Sequence, residues 1–195
     1  MNGPAVPPPL TEAEAGLGVT FPEEYRRYLL EVSSGGAVAR LERTEDGWWW
    51  ADNEVWRRAL LTVPFPHPDS YLEAEEELDR REPTAGAFST EDAFARAWKA
   101  WDAEYEDFQD RKTAGSVVVQ EHGCGFATLL AVTGPLAGTV WWDGRATCEL
   151  IVPLSPDHAG GARPATFGEW LGRGSQDLLP PGWGRRPASP DPATA

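Results

Sequence analysis

After Gly115 the spacing of the apolar residues changes from a helical to a strand-like period. Four runs rich in β-branched and aromatic residues follow: 116–121, 126–133, 139–143 and 148–153. Glycine-containing turns at 122–125 and 134–138 separate the first three runs, and turns of these lengths are typical of antiparallel hairpins. The second half of the chain is therefore predicted to form a mostly antiparallel sheet.

The run 126–133 is apolar on both of its faces. Side chains alternate along a strand, so one face carries Phe126, Leu130 and Val132, and the other carries Ala127, Leu129 and Ala131. A strand of this kind is covered on both sides, at least in part. We therefore expect an α+β fold in which helices pack around a central sheet.

Two helices are predicted near the start of the chain. Residues 11–14 fit a capping box and open a short helix that reaches Leu17. Pro22 suits the first position of the second helix, because its missing N–H is not needed there. The apolar stripe of that helix is Tyr25, Tyr28, Leu29 and Val32, and the glycine pair at 35–36 supplies its stop.

Three further helices have recognisable start signals. Asp69 is a plausible N-cap for a helix through about Arg81, and Thr90 caps a long helix. The stripe of this long helix consists of Phe94, Ala97, Trp98, Trp101, Tyr105 and Phe108. Thr166 caps a closing helix, with Glu169 three positions later. Its inward-facing residues are predicted to be Phe167, Trp170, Leu171 and Leu178.

The length of 195 residues fits one domain of ordinary size. Residues 1–10 are rich in proline, and we expect a flexible tail there. Residues 11–179 form the single predicted domain, and the Pro/Ala/Gly-rich residues 180–195 are expected to be a disordered tail. Within the domain, the prolines at 64–68 predict an extended loop, and Trp48–Trp50 after a turn predict a strand.

The net charge of −14 restricts the partners of the chain. Recognition of phosphate needs clustered lysine and arginine, so direct binding to nucleic acid or to an anionic membrane is not expected. An acidic surface can steer a basic protein partner instead. Acidity that serves solubility alone is the alternative.

The cellular location is inferred from what opens the chain. It has no basic-then-apolar leader, and no apolar run approaches the ~18 residues that a membrane span requires. We therefore expect a cytoplasmic protein in which Cys124 and Cys148, its two cysteines, stay reduced.

The sequence contains no nucleotide-binding glycine loop, paired-histidine zinc helix or nucleophile elbow. His122 and Cys124 could form a nucleophile pair, but a tight hairpin with Cys124 as a small packed residue is the favoured interpretation. A metal site from His122, Cys124 and Cys148, completed by His67 or His158, would lack the usual ligand spacing. We expect neither a catalytic site nor a cofactor.

Two features suit a protein interface. Trp48–Trp50 and Trp141–Trp142 could be stacking platforms, although core packing is favoured, and Trp49 is the interface candidate among them. Residues 69–112 hold fourteen acidic and six basic side chains, which predicts two helices with acidic outer faces. The candidate contacts for a basic partner are Glu73, Glu76, Glu77, Asp79, Asp102, Glu104, Asp107 and Trp49. A solvated face with no partner is the alternative.

Three segments together resemble the SUKH superfamily of Smi/Knr-like proteins. They are Phe21-Pro22-Glu23-Glu24-Tyr25-Arg26 through Ser34-Gly35-Gly36, the His122-Gly123-Cys124-Gly125 turn with the later Gly138-Thr139-Val140-Trp141-Trp142-Asp143, and Thr166-Phe167-Gly168-Glu169-Trp170-Leu171. They occur in family order and span roughly residues 15 to 175. The resemblance implies an α+β binding module without a shared catalytic set.

Many members of that superfamily are bacterial immunity proteins that neutralise a toxin, often a nuclease with a basic cleft, by direct contact. The resemblance therefore implies a basic toxin domain as partner. A regulatory or scaffold domain with no toxin partner is the alternative, because some members act in signalling. The oligomeric state stays open.

Overall fold

A computed structural model describes residues 10–31, 38–51, 53–148 and 150–183. Within these ranges the architecture is mixed α/β, with an antiparallel four-stranded sheet and helices. The predicted glycine stop at 35–36, the stripe residue Val32 and nearly all of the two predicted tails lie outside the described residues.

The sheet consists of β3 (Ser116–Gly123), β4 (Phe126–Ala131), β5 (Val140–Asp143) and β6 (Ile151–Pro153). The strands neighbour each other in chain order, and every pair is antiparallel. The first three predicted runs are confirmed. The fourth predicted run, 148–153, starts too early, because Cys148 belongs to the short helix α5 (Arg145–Cys148) and the strand begins at Ile151. The Asp143 carboxylate accepts the backbone N–H of Arg145 and thereby holds the start of this turn.

The two faces of β4 belong to two different cores, as its alternating pattern predicted. Leu130 and Val132 lie in a large cluster on one side of the sheet. Ala127, Leu129 and Ala131 lie in a smaller cluster on the other side. The central strand is therefore buried on both faces, and Leu129 and Leu130 have no exposed surface.

The large core is covered by helices and a second, two-stranded sheet. These elements are α1 (Leu10–Leu17), α2 (Glu23–Glu31), the pair β1 (Leu41–Thr44) and β2 (Gly47–Trp50), α6 (Phe167–Arg173) and α7 (Ser175–Leu178). The ring of Tyr25 contacts those of Phe21 and Phe167 edge to face. Its hydroxyl accepts the indole N–H of Trp50 at 2.5 Å, so aromatic contacts join α2, β2 and α6.

The small core is closed by the proline-rich loop at 64–68. Phe65 from this loop is buried against Trp141, with ring centroids 5.4 Å apart. Gly115 allows the loop to lie this close, because a Cβ there would come within 2.2 Å of the Val63 carbonyl oxygen. The φ of Gly115 is also +63°, a value that favours glycine.

Asn53 joins the two sheets at the outer edge of β3. Its side-chain amide accepts the N–H of Val118 and donates to the carbonyl of the same residue, both at 2.8 Å. Its own carbonyl accepts the indole N–H of Trp49 at 2.9 Å. Asn53 therefore satisfies backbone groups that an additional strand would otherwise pair.

The structure tests the predicted starts of three helices. Thr90 caps α4 (Glu91–Arg111) as expected, since its hydroxyl accepts the N–H of Ala93. Thr166 and Glu169 form the predicted capping box of α6. Asp69 is not the N-cap of the helix that follows it, α3 (Leu72–Arg80). Residues Pro68–Ser70 form a separate 3₁₀ turn capped by the His67 ring, so α3 starts later than predicted.

Two predictions about the end of the domain need correction. Leu171 is 43% exposed, whereas Phe167, Trp170 and Leu178 are buried as expected. It follows Trp170 directly, and the buried face of α6 is too narrow to include both residues. Residues 180–183, assigned to the disordered tail, form a turn in which Trp183 packs partly buried against the large core.

Candidate functional site

Helices α3 and α4 form a helical hairpin (residues 71–112) between the proline-rich loop and β3. The Tyr71 ring contacts that of Phe108, and the indole N–H of Trp101 donates to the Leu78 carbonyl at 2.9 Å. The residue before α3 thus contacts the last part of α4, whereas the end of α3 contacts the middle of α4, so the two helices run antiparallel. At the far end Arg81 and Glu104 form a two-pronged ion pair, at 2.6 and 3.0 Å.

A buried ion pair lies at the base of the helical hairpin. The Lys112 ammonium group lies 2.5 Å from a carboxylate oxygen of Glu75, and the Lys112 side chain is only 1% exposed. The Lys112 Nζ atom also lies 5.0 Å from the centroid of the Tyr71 ring. The Lys112 ammonium group is therefore enclosed by groups of the helical hairpin itself. A hydrogen bond from the Arg145 guanidinium to the Gln109 carbonyl, at 2.5 Å, links this end of the hairpin to the body of the protein.

None of the twenty-one residues of α4 is buried, and all of them are described. The apolar residues of α4 recur at the predicted spacing, but their rings are only partly covered. Together with Phe88, which precedes the helix, four of these rings form a series that we call the aromatic row: Phe88, Phe94, Trp98, Trp101 and Tyr105. Neighbouring centroids are 5.1 to 6.0 Å apart. Trp98 is 38% exposed, so these rings contact one another without being enclosed by the core.

A groove of about 460 Å³ runs beside the aromatic row. Phe88 and Trp101 supply rings to it, Ala97 supplies a small apolar surface, and the Arg81–Glu104 pair closes one side. The hydrogen bonds from Arg81 lower the pKa of the Glu104 carboxyl below its ordinary value. Glu104 is therefore charged at neutral pH and already paired.

The predicted acidic contacts fall into two groups, and all seven are exposed. Glu77, Glu104 and Asp107 have arginine partners, namely Arg80 and Arg81 for Glu77, Arg81 for Glu104 and Arg111 for Asp107. Glu73, Glu76, Asp79 and Asp102 have no ion-pair partner among the described residues. Glu106, which belongs to the predicted acidic face of α4 but not to the candidate contacts, also has no ion-pair partner among the described residues. These five carboxylates are free to meet a cationic partner.

Trp49 is not an interface residue. It is 3% exposed, and Trp48 and Trp50 are also buried. Core packing, the favoured prediction for this group, is confirmed, because both faces of β2 are covered. Arg58, from the 3₁₀ segment Val55–Leu60, lies over the Trp49 ring at 5.2 Å. Trp141 and Trp142 are buried as well, so neither group presents an exposed ring to a protein partner.

Among the hydrogen bonds of the described residues, none joins His122 to Cys124. The His122 Nε2 atom lies 2.8 Å from the Thr128 hydroxyl, and burial lowers the pKa of the imidazole. Cys124 sits at the exposed tip of the β3–β4 hairpin with φ of 53°. The tight turn is confirmed, but the packed position predicted for Cys124 is wrong.

The possible metal ligands point to different neighbours. His67 contacts the Trp141 ring, and His158 Nε2 lies 2.9 Å from the Leu178 carbonyl. In the part of the chain that the structure describes, no group of three or more His, Cys, Asp and Glu side chains could hold a metal ion.

The sequence pattern missed three features of this surface. The exposure of the α4 stripe, the neutralisation of Glu104 by Arg81 and the position of Phe88 at the end of the aromatic row all depend on tertiary contacts. One signal was available: Asp102 and Glu106 lie beside the stripe, and acidic residues there narrow the apolar face that α4 can bury.

Comparison with known proteins adds no relative. The chain matches no protein-family model, no curated protein and no solved structure. Among the helices of the described residues, none combines the length and the apolar character needed to cross a membrane.

Proposed function

We propose that this chain is a non-catalytic protein-binding module whose helical hairpin binds a basic protein. We further propose that it is a bacterial immunity protein, which neutralises a cationic, nuclease-like toxin by direct contact. The observation that carries the binding proposal is the aromatic row, because a 21-residue helix displays its rings without burying any residue.

The chemistry of this surface suits a partner rich in arginine and lysine. Aromatic rings are over-represented among residues that dominate binding energy at interfaces. A cation over the face of a tryptophan or tyrosine ring gains roughly 0.5–2 kcal/mol. Trp98 offers such a face, and Asp102 lies one helical turn beyond it. An arginine of the partner could therefore contact a ring and a carboxylate together.

The free carboxylates support fast, salt-sensitive association. Acidic charge on one surface accelerates encounter with a cationic partner, and added salt screens that attraction. The toxin identity of the partner has a separate basis, the sequence resemblance to the SUKH superfamily. A protein of this charge that covers a basic cleft would block it sterically, without any turnover.

The test uses two triple charge reversals that change the net charge equally. One variant carries Glu73→Lys, Glu76→Lys and Asp79→Lys in α3. The matched control carries Glu31→Lys, Glu45→Lys and Asp177→Lys, three exposed positions outside the helical hairpin. Tagged proteins are incubated with native lysate at low and at high salt, and bound proteins are identified by mass spectrometry.

We expect the native protein and the control to retain one basic protein at low salt, and the α3 variant to lose it. The Trp98→Ala variant should weaken the same interaction. Equal retention by all variants would remove the helical hairpin from the interface. If the retained protein is toxic when produced alone and harmless with this chain, the immunity role is supported; retention of signalling proteins would favour the regulatory alternative.

A further inference from the structure

A second cavity, away from the helical hairpin, opens at the end of the four-stranded sheet. Its volume is about 440 Å³, within the range of about 300–1,000 Å³ typical of small-molecule sites. Phe126, Trp142 and Trp183 supply its aromatic walls, and His122, Cys148 and Gln176 supply polar atoms. The proposed protein-binding surface does not use this cavity.

The rings of the cavity are held in place by the fold. Phe126 and Trp142 are nearly parallel, with centroids 5.6 Å apart and planes 25° apart. The centroids of the His122 and Trp142 rings are 4.6 Å apart. Trp183 closes another side of the cavity. Its ring packs close to Gly144: a Cβ atom added to Gly144 would lie 3.3 Å from the Trp183 ring. The turn at 180–183 therefore contributes one wall of the cavity.

A buried hydrogen-bond chain fixes the orientation of His122. Its Nε2 atom contacts the Thr128 hydroxyl, which lies 2.7 Å from the Ser175 hydroxyl. The indole N–H of Trp170 donates to Ser175 at 2.8 Å. Burial lowers the pKa of His122, so its imidazole is neutral at pH 7. None of the nine lining residues then carries a formal charge.

We propose that this cavity binds a small, uncharged, planar aromatic molecule of one or two rings. Aromatic walls favour a flat ring, because stacked and edge-to-face contacts stabilise it beyond simple burial. The uncharged lining disfavours an ionic ligand, since an ion would lose its hydration without gaining a partner. The proposal is independent of the binding role of the helical hairpin.

The first experiment measures binding of 5-fluoroindole to the full chain by ¹⁹F NMR at pH 7. A ligand of this size should bind with a Kd of about 1 mM or tighter. Indole should displace it, whereas tryptamine and indole-3-acetate should compete at least about tenfold more weakly because each carries a charge. The absence of binding, or equal competition by all three, would overturn the proposal.

The two exposed cysteines provide a matched test of location. Cys148 lines the cavity, whereas Cys124 lies at the hairpin tip outside its lining. Benzyl methanethiosulfonate attaches a benzylthio group to whichever thiol remains in the Cys124→Ser or Cys148→Ser variant. Labelling of Cys148 should abolish 5-fluoroindole binding, and labelling of Cys124 should leave it unchanged. Bound indole should also slow the labelling of Cys148 alone.

A third variant tests the aromatic wall without any label. Trp183→Ala should raise the Kd for 5-fluoroindole at least about tenfold, because it removes one of three aromatic walls. Trp56→Ala is the control, since it also removes one partly exposed indole, from the 3₁₀ segment Val55–Leu60 outside both the cavity and the helical hairpin. Equal effects of the two substitutions, or binding that survives the Cys148 label, would place the ligand elsewhere and refute the assignment.

Discussion

At the scale of single residues, Asn53 shows how one side chain can complete a sheet edge. Its amide pairs with both backbone groups of Val118, and it is only 8% exposed. A side-chain amide carries a donor and an acceptor side by side, as a strand backbone does. Asn53 thereby pairs both outward-facing backbone groups of Val118 without a fifth strand.

We predict that Asn53→Ala lowers the free energy of unfolding by about 2 kcal/mol or more, because two buried backbone groups lose their partners. Urea unfolding followed by tryptophan fluorescence measures the change. Asn53→Asp keeps the size but lacks the N–H that donates to the Val118 carbonyl, so it should also destabilise the protein. An Asp variant as stable as the native protein would show that this donor contributes nothing.

At the scale of elements, α6 has its start specified twice. The Thr166 hydroxyl accepts the N–H of Glu169, and the Glu169 carboxylate accepts the N–H of Thr166. Arg163 adds an ion pair at 2.8 Å. The hydrogen bond from Arg163, followed by that from the Thr166 backbone, lowers the pKa of Glu169 to about 2.

The lowered pKa of Glu169 gives a signed dependence of stability on pH. Because the folded value lies below the unfolded value, the stabilisation is complete above about pH 4.3 and is lost as the pH falls towards 2. Glu169→Gln should cost about 1 kcal/mol at pH 7, after allowance for solvent screening of this partly exposed pair. The difference from the native protein should shrink between pH 5 and 2.

Denaturant unfolding across that pH range measures the effect of Glu169. Glu73→Gln is the matched control, since Glu73 is exposed and has no ion-pair partner among the described residues. It should change stability by less than about 0.5 kcal/mol at every pH. A difference for Glu169→Gln that stays constant with pH would contradict the assignment.

The base of the helical hairpin allows a coupled prediction. Removal of one member of a buried ion pair leaves the other without compensation, whereas removal of both is tolerated better. We expect a double-mutant cycle with Lys112→Met and Glu75→Leu to give a coupling free energy of about 1–3 kcal/mol. Additive effects of the two substitutions would show that the pair does not contribute.

At the scale of the whole molecule, burial is distributed unevenly. The strand β4 lies between two cores, and its residues Leu129 to Ala131 are fully buried. Helix α4 is longer than any strand in the described part of the chain, yet none of its residues is buried. Few buried contacts imply a low free energy of local opening, so the helical hairpin should open without the sheet.

Amide hydrogen exchange measures this difference directly. We expect the amides in the first half of α4 to exchange at least about 100-fold faster than those of Leu129 to Ala131. Amides near Lys112 should exchange at an intermediate rate, because the Lys112–Glu75 pair and the hydrogen bond from Arg145 to the Gln109 carbonyl hold that end. Equal protection of α4 and β4 would mean that the two unfold as one cooperative unit.

The sequence by itself determined the elements whose signals are local. The capping box at Thr166 and the two-sided apolar pattern of β4 were predicted because caps and side-chain periods depend on neighbours within a few residues. Only the tertiary structure decided what covers each apolar face. Trp49 became core because a 3₁₀ segment packs beside it, and Trp98 stayed exposed because no described element packs over it. The spacing of apolar residues shows which side of a helix or strand is apolar. Whether that side is buried depends on residues far away in the sequence, which the spacing does not encode.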